Sequence, residues 1–193
     1  IAKEIEKCEI CRHGKTGKAV PGEGNPDAEL VFIGEAPGRN EAETGKPFVG
    51  RAGKLLRSII KGIGIDEKEV FITNPVKYLP LKGTPSTADI KHGKTHLEKQ
   101  LKIINPKIIV LLGRVATLAN FEEPISVKKE HGKIIKKNEI SYLITYHPSA
   151  ALRFPPLKKV LAEDLKKLKK LVKTVKNLKS RKKKVAFNRI INN

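Results

Sequence analysis

An α/β fold with a mostly parallel sheet covered on both faces is what this sequence predicts, on three observations. Four short apolar runs rich in β-branched residues read as strands: "ELVFIG" at 29–34, "EVFIT" at 69–73, "KIIVLLG" at 107–113 and "ISYLITYH" at 140–147. Segments with helical spacing of apolar residues lie between them. Two of the runs are almost continuously apolar, as strands buried on both faces are. A length of 193 residues suits one well-buried domain, here residues 1–178, followed by a basic tail at 179–193.

The first strand runs into "GEAPGRNEAETGKPFVGRAG", residues 34–53, a loop with five glycines, two prolines, the carboxylates Glu35, Glu41 and Glu43, and the single aromatic Phe48. Ordering so much glycine costs backbone entropy, which points to a ligand. A helix follows in "AGKLLRSIIKGIG", with apolar positions 55, 56, 59, 60 and 63 on one face. The second strand leads to a helix in "ADIKHGKTHLEKQLKII", and the third to a short helix after Gly113. Leu157, Leu161, Leu165, Leu168, Val172 and Val175 define the docking face of a long last helix whose lysines face water. Ligands of such sheets bind beyond the carboxyl ends of the strands, so Gly34, Asn74, Gly113 and His147 open onto one rim.

Charge narrows the partners. Forty Lys and Arg against 20 Asp and Glu give +20 and a pI near 10.0. Glu is not abundant enough for ion-pair networks to absorb that surplus, so an anionic polymer is the expected partner. From Leu157 onward there are 12 Lys and 2 Arg against Glu163 and Asp164, and the run Lys182, Lys183, Lys184 suits phosphate contacts. No apolar run reaches the roughly 20 residues that span a bilayer, and no signal-peptide core is present, so the chain reads as cytoplasmic and unattached to membrane. Cys8 and Cys11 form one C-x-x-C, which leaves a metal half-site, a redox pair and two ordinary thiols open.

The rim is not a common nucleotide site: "GEAPG" is neither G-x-G-x-x-G nor a P-loop. Asn74 offers an amide donor and acceptor, Phe48 a flat face, and "HPSAALR" an imidazole followed by small residues. Together they suit a planar heterocycle.

"VPGEG", "GEAPGRNEAETGKPFVGRAGKLL", "FITNPVKYLP", "NPKIIVLLG" and "TYHPSAALR" occur in order. In this the chain resembles the family 4 uracil-DNA glycosylases of bacteria and archaea over roughly residues 5 to 172. The resemblance implies a three-layer α/β/α sandwich around a four-stranded parallel sheet. It also implies a monomeric DNA-repair hydrolase that flips uracil out of DNA and cuts its N-glycosidic bond. Phe48 then stacks on the base and Asn74 reads its O4 and N3 edge. His147 stabilises charge on O2, and Glu41 positions the attacking water. Glu35, Ala36, Pro37 and Gly38 form the pocket wall. Lys54, Ser149, Leu152 and Arg153 are the implied DNA contacts, with Leu152 or Arg153 filling the gap left in the duplex. Breaking the C1′–N1 bond gives a cationic sugar and an anionic base, and a carboxylate and a donor stabilise its two ends.

The sequence departs from the family at the [4Fe–4S] cluster, which takes four cysteines. Only Cys8 and Cys11 are here; Tyr78 stands in the third position and Gly93 or a neighbour in the fourth. No cofactor is therefore expected, since His92 or His96 with two thiolates makes a poor cluster site. Ile5 and Ile10 are expected to pack the N-terminal segment instead. The family's acidic residue after Glu41 is Ala42 here. A noncatalytic nucleic-acid binder, or a glycosylase for another deaminated base such as hypoxanthine, are the competing readings.

Overall fold

The computed structural model describes residues 1–178. Two short helices, α1 (Ala2–Lys7) and α2 (Glu9–Arg12), precede β1 (Lys15–Thr16) and β2 (Glu23–Gly24). There follow β3 (Leu30–Ile33), α3 (Arg39–Thr44), α4 (Arg51–Gly62), β4 (Val70–Thr73), β5 (Leu79–Pro80) and α5 (Thr87–Ile104). Next come β6 (Ile108–Leu112), α6 (Gly113–Asn120), α7 (Val127–Glu130), β7 (Ile134–Lys137), β8 (Ile140–Thr145), α8 (Pro148–Arg153) and α9 (Pro156–Lys166). Residues 168–178 are again helical.

The main sheet has the order β2-β4-β3-β6-β8-β7. Its four central strands run parallel, as the alternation of strand and helix implies. The expected four-stranded sheet is extended by an antiparallel edge strand on each side, β2 against β4 and β7 against β8. Both edges are weak sequence signals. The β2 strand is two exposed residues, while β7 reads "IIKK" and joins β8 through Asn138 and Glu139, both in the left-handed region (φ 49° and 63°), a two-residue hairpin turn.

Period-two alternation sends each parallel strand to two cores. Leu30, Phe32, Ile108, Val110, Leu112 and Leu143 face Leu56 and Ile60 of α4, Ala151 of α8, and Leu161 and Leu165 of α9. Val31, Ile33, Ile109, Leu111 and Ile144 face Ile90 and Leu97 of α5 and Val115 and Ala116 of α6. Each fully buried aliphatic side chain contributes roughly 1.5–3 kcal/mol. The long last helix breaks at Lys167, whose Nζ donates to Gly132 O at 2.6 Å, yet Leu161, Leu165 and Leu168 all reach the core. A satellite core of Ile5, Cys11 and Tyr78 lies under α1 and α2. Ile5 packs there as expected, whereas Ile10 is 63% exposed.

Candidate active site

The rim at the carboxyl ends of the parallel strands is organised by Glu41. Its Oε2 accepts the Gly38 N–H at 3.1 Å, and its Oε1 accepts Val49 N–H at 2.8 Å and Gly50 N–H at 2.7 Å. One buried carboxylate thus ties the start of α3 to the residues before α4. Between those ties Phe48 is held at φ 53°, a region costly for a bulky residue. Arg57 of α4 secures it, donating Nε to Phe48 O at 3.1 Å and Nη2 to Pro47 O at 3.2 Å, with Nη1 on Glu67 at 2.6 Å. Gly53 passes directly beneath, since a Cβ there would lie 1.9 Å from Phe48 O. Ala42 is buried against Gly17, which leaves no room for an acidic side chain at that position.

Asn74 follows β4 and is 2% exposed, and among the described residues its Oδ1 has no hydrogen-bond partner. A buried acceptor without a donor is costly, a cost that a ligand N–H would relieve. Gly34 lets both side chains pack closely on the backbone: a Cβ at Gly34 would lie 2.5 Å from both Asn74 Oδ1 and Phe48 Cζ.

His147 caps α8. Its Nδ1 accepts the Ser149 backbone N–H at 3.2 Å and lies 2.7 Å from Ser149 Oγ. A backbone N–H can only donate, so Nδ1 carries the lone pair and Nε2 the proton. Burial pushes the pKa of His147 down to about 4, against the opposing pull of the Glu41 carboxylate. The ring lies 5.8 Å from that of Phe48, tilted by 40°. Burial likewise raises the pKa of Glu35, with Arg114 opposing it.

These groups converge on one cleft of about 380 Å³. It brings together Glu35, Ala36, Pro37, Gly38, Glu41, Phe48, Asn74, His147 and Ser149 from the sequence-based set. Ser149 is engaged with His147 there. Lys54 and Arg153 are exposed and Leu152 half-buried, none of them lining the cleft, and Phe154 beside them is 56% exposed. Lys182, Lys183 and Lys184 lie outside the described residues. Arg39, Asn40 and Arg51 also line the cleft and were not singled out from sequence, although two are cations within the glycine-rich loop. Arg57 carried no sequence signal, because an arginine on an amphipathic helix reads as solvated. Chemically, the cleft offers a flat face, a bare acceptor beside an amide donor, and an imidazole N–H: the complement of a planar ring bearing an N–H between carbonyls.

A second constellation sits under α1 and α2. Cys8, Cys11, His92 and His96 bring their ligand atoms within 4.8 Å of one another. A four-thiolate [4Fe–4S] cluster does not fit these residues. Tyr78 fills the third position, buried with its hydroxyl 3.3 Å from Glu6 O, and a Cβ at Gly93 would lie 2.3 Å from Pro75 O. The two histidines, given no motif by the sequence reading, complete a C-x₂-C…H-x₃-H pattern that was legible in the chain.

A family model described as the uracil DNA glycosylase superfamily matches residues 21–179. The chain is 46% identical over 179 residues to a Type-4 uracil-DNA glycosylase of Saccharolobus solfataricus, covering 87% of this chain and 83% of that one. It is 46% identical to the Type-4 enzyme of Sulfurisphaera tokodaii, covering 87% and 81%. Against the Type-4 enzyme of Archaeoglobus fulgidus it is 38% identical, covering 87% and 89%.

Proposed function

The chain belongs to the uracil DNA glycosylase superfamily, and from that premise we infer that it is a DNA-repair glycosylase hydrolysing the N-glycosidic bond of uracil in DNA. The observation that carries the reading is the bare Asn74 Oδ1 on the cleft floor. It accepts the N3–H of uracil while the Asn74 amide donates to O4. Cytosine has no proton at N3 and an amine at the 4-position, so it meets acceptor with acceptor and donor with donor.

Phe48 stacks on the extruded base. His147, neutral with its proton on Nε2, donates to O2 as negative charge moves onto the departing ring. Water adds at C1′ as the C1′–N1 bond breaks, and uracil leaves as an anion that then takes up a proton. Glu41 already accepts three N–H groups, which leaves about one of a carboxylate's four acceptor sites for that water. Its negative charge also favours the cationic sugar. Arg39 and Arg51 at the mouth meet the phosphates flanking the flipped nucleotide, and Lys54, Arg153 and Leu152 meet the duplex beyond. The tail at 179–193 adds sequence-independent phosphate contacts.

The proposed enzyme is a monomer that meets uracil-containing DNA in the cytoplasm. Among the described residues no helix is long and apolar enough to cross a membrane. The chemistry uses no cofactor, and the Cys/His constellation lies outside the cleft lining. A noncatalytic role has no use for a bare acceptor and an oriented imidazole in one cleft. Incubation with a uracil-containing oligonucleotide, followed by alkali, tests the reading: strand breaks at the uracil position support it. Intact DNA, or breaks at hypoxanthine alone, refute it.

A further inference from the structure

We propose that Cys8, Cys11, His92 and His96 form a tetrahedral site for a single zinc ion that pins α1 and α2 to α5. The donor set is two thiolates and two imidazoles in the spacing C-x₂-C…H-x₃-H, which suits structural zinc. His92 and His96 are four residues apart on α5 and share one face, their rings 5.4 Å apart and edge to face. Cys8 Sγ lies 3.2 Å from His92 Nε2, and all four ligand atoms lie within 4.8 Å of each other. Zinc bonded at its usual lengths to sulfur and nitrogen separates its ligands by about 3.3–3.8 Å, so only a slight contraction is needed.

His96 supplies an independent observation. It is 4% exposed, and among the described residues neither ring nitrogen has a hydrogen-bond partner. A buried imidazole with two idle nitrogens is costly unless one of them binds something else. Its Nδ1 lies 3.4 Å from Glu4 Oε1, near enough for attraction but outside hydrogen-bond geometry. That arrangement, carboxylate then imidazole then ion, leaves Nε2 for the metal and orients the ring. The Cys11 backbone N–H donates to Cys8 Sγ at 3.5 Å, a contact that supports a thiolate. Two thiolates neutralise the ion's charge in this half-buried place.

Iron–sulfur alternatives fit less well. A two-iron cluster with two cysteines and two histidines puts the thiolates on one iron and the imidazoles on the other, whereas Cys8 and His92 here touch directly. The ion's role is structural. The satellite core beneath it holds only Ile5, Cys11 and Tyr78 as buried members, too little apolar surface to fix two short helices.

The test uses the full chain without an affinity tag. Elemental analysis should give one zinc per chain and neither stoichiometric iron nor acid-labile sulfide. Cobalt replacing zinc should show the intense visible bands of a tetrahedral thiolate site. A strong chelator should lower Tm by roughly 8 °C or more, with zinc restoring it. Cys8→Ser and His92→Ala should each lose the cobalt bands. Stoichiometric iron with labile sulfide would overturn the proposal. So would a Tm indifferent to chelator and zinc, or cobalt bands unchanged in both variants. None of these readouts involves uracil excision, so failure here is distinguishable from failure of the proposed function.

Discussion

The Ser149 backbone N–H points at His147 Nδ1 across 3.2 Å, and this fixes the imidazole with its proton on Nε2. A protonated ring would set one N–H against another, so the same contact opposes the imidazolium and agrees with a pKa lowered to about 4. His147 is therefore a neutral hydrogen-bond donor at physiological pH. In the proposed reaction it would stabilise a developing anion by a directed N–H rather than by a full charge.

The first prediction concerns that donor. His147→Ala should slow single-turnover excision roughly 100- to 1,000-fold with DNA affinity almost unchanged. The folded pKa, about 4, lies below the unfolded value of about 6.5, so the unfolded chain binds the proton first as pH falls. The stability associated with neutral His147 is complete above about pH 6.5 and is lost progressively toward pH 4. Denaturation midpoints of wild type and His147→Ala at pH 7 and pH 4.5 should therefore converge at the acid end. Parallel midpoints at both pH values would contradict it.

A second prediction addresses the bare acceptor. Asn74→Asp places a carboxyl group at a 2% exposed position and changes the pattern facing N3 and the 4-position. Uracil excision should fall about 100-fold, with some gain on cytosine when the carboxyl is protonated. Competition between uracil and cytosine duplexes measures both changes at once.

Gly34 gives a sharper steric test. Gly34→Ala puts a methyl group 2.5 Å from Asn74 Oδ1 and Phe48 Cζ, so these two cleft side chains must shift. Excision should drop at least ~100-fold while phosphate-driven DNA binding persists. Retention of wild-type rates would remove those two side chains from the base site.

Much of this arrangement was legible in the chain. The parallel strands announced themselves because β6, "IIVLL", is fully buried and nearly all β-branched or leucine, and Phe48, Asn74 and His147 stood at strand ends or in the glycine-rich loop. The edge strands were not legible: two exposed residues, Glu23 and Gly24, carry no periodicity. The spacing of Cys8, Cys11, His92 and His96 was legible, but their meeting was not: the fold brings His92 to Cys8 across 84 residues, and an amphipathic helix accommodates histidines without a ligand. Ser149 looked like a contact for DNA, yet its nearest work is to orient His147. The role of Glu41 in holding Phe48 depends on its carboxylate meeting backbone N–H groups eight and nine residues on, which no periodic pattern encodes.

That double role gives a fourth prediction. In Glu41→Gln the remaining oxygen still accepts, but the NH2 faces a backbone N–H that the carboxylate had accepted, so the negative charge and at least one tie of the loop are lost. The change should lower Tm by a few degrees, roughly 1–3 kcal/mol, as well as cutting excision by orders of magnitude. Glu35→Gln, with no such backbone ties among the described residues, should leave Tm within about 1 °C. If Glu35→Gln were the more damaging to excision, the water-positioning role would pass to Glu35.

The tail supplies a fifth. Removing residues 179–193 deletes Lys179, Arg181, Lys182, Lys183, Lys184 and Arg189. DNA affinity should weaken alike for all sequences, and the slope of log K against log salt should become shallower by about 0.9 for each phosphate no longer neutralised. Single-turnover excision at saturating protein should be unchanged.

The most direct measurement compares uracil with 3-methyluracil at the same position of one duplex, under single-turnover conditions. Methylation replaces the N3–H that Asn74 Oδ1 would accept with a methyl group, which cannot donate and meets that oxygen sterically. Uracil should be excised and 3-methyluracil refused by a factor of about 100 or more. Equal rates for the two bases, or no release of uracil by DNA-bound enzyme, would contradict the account.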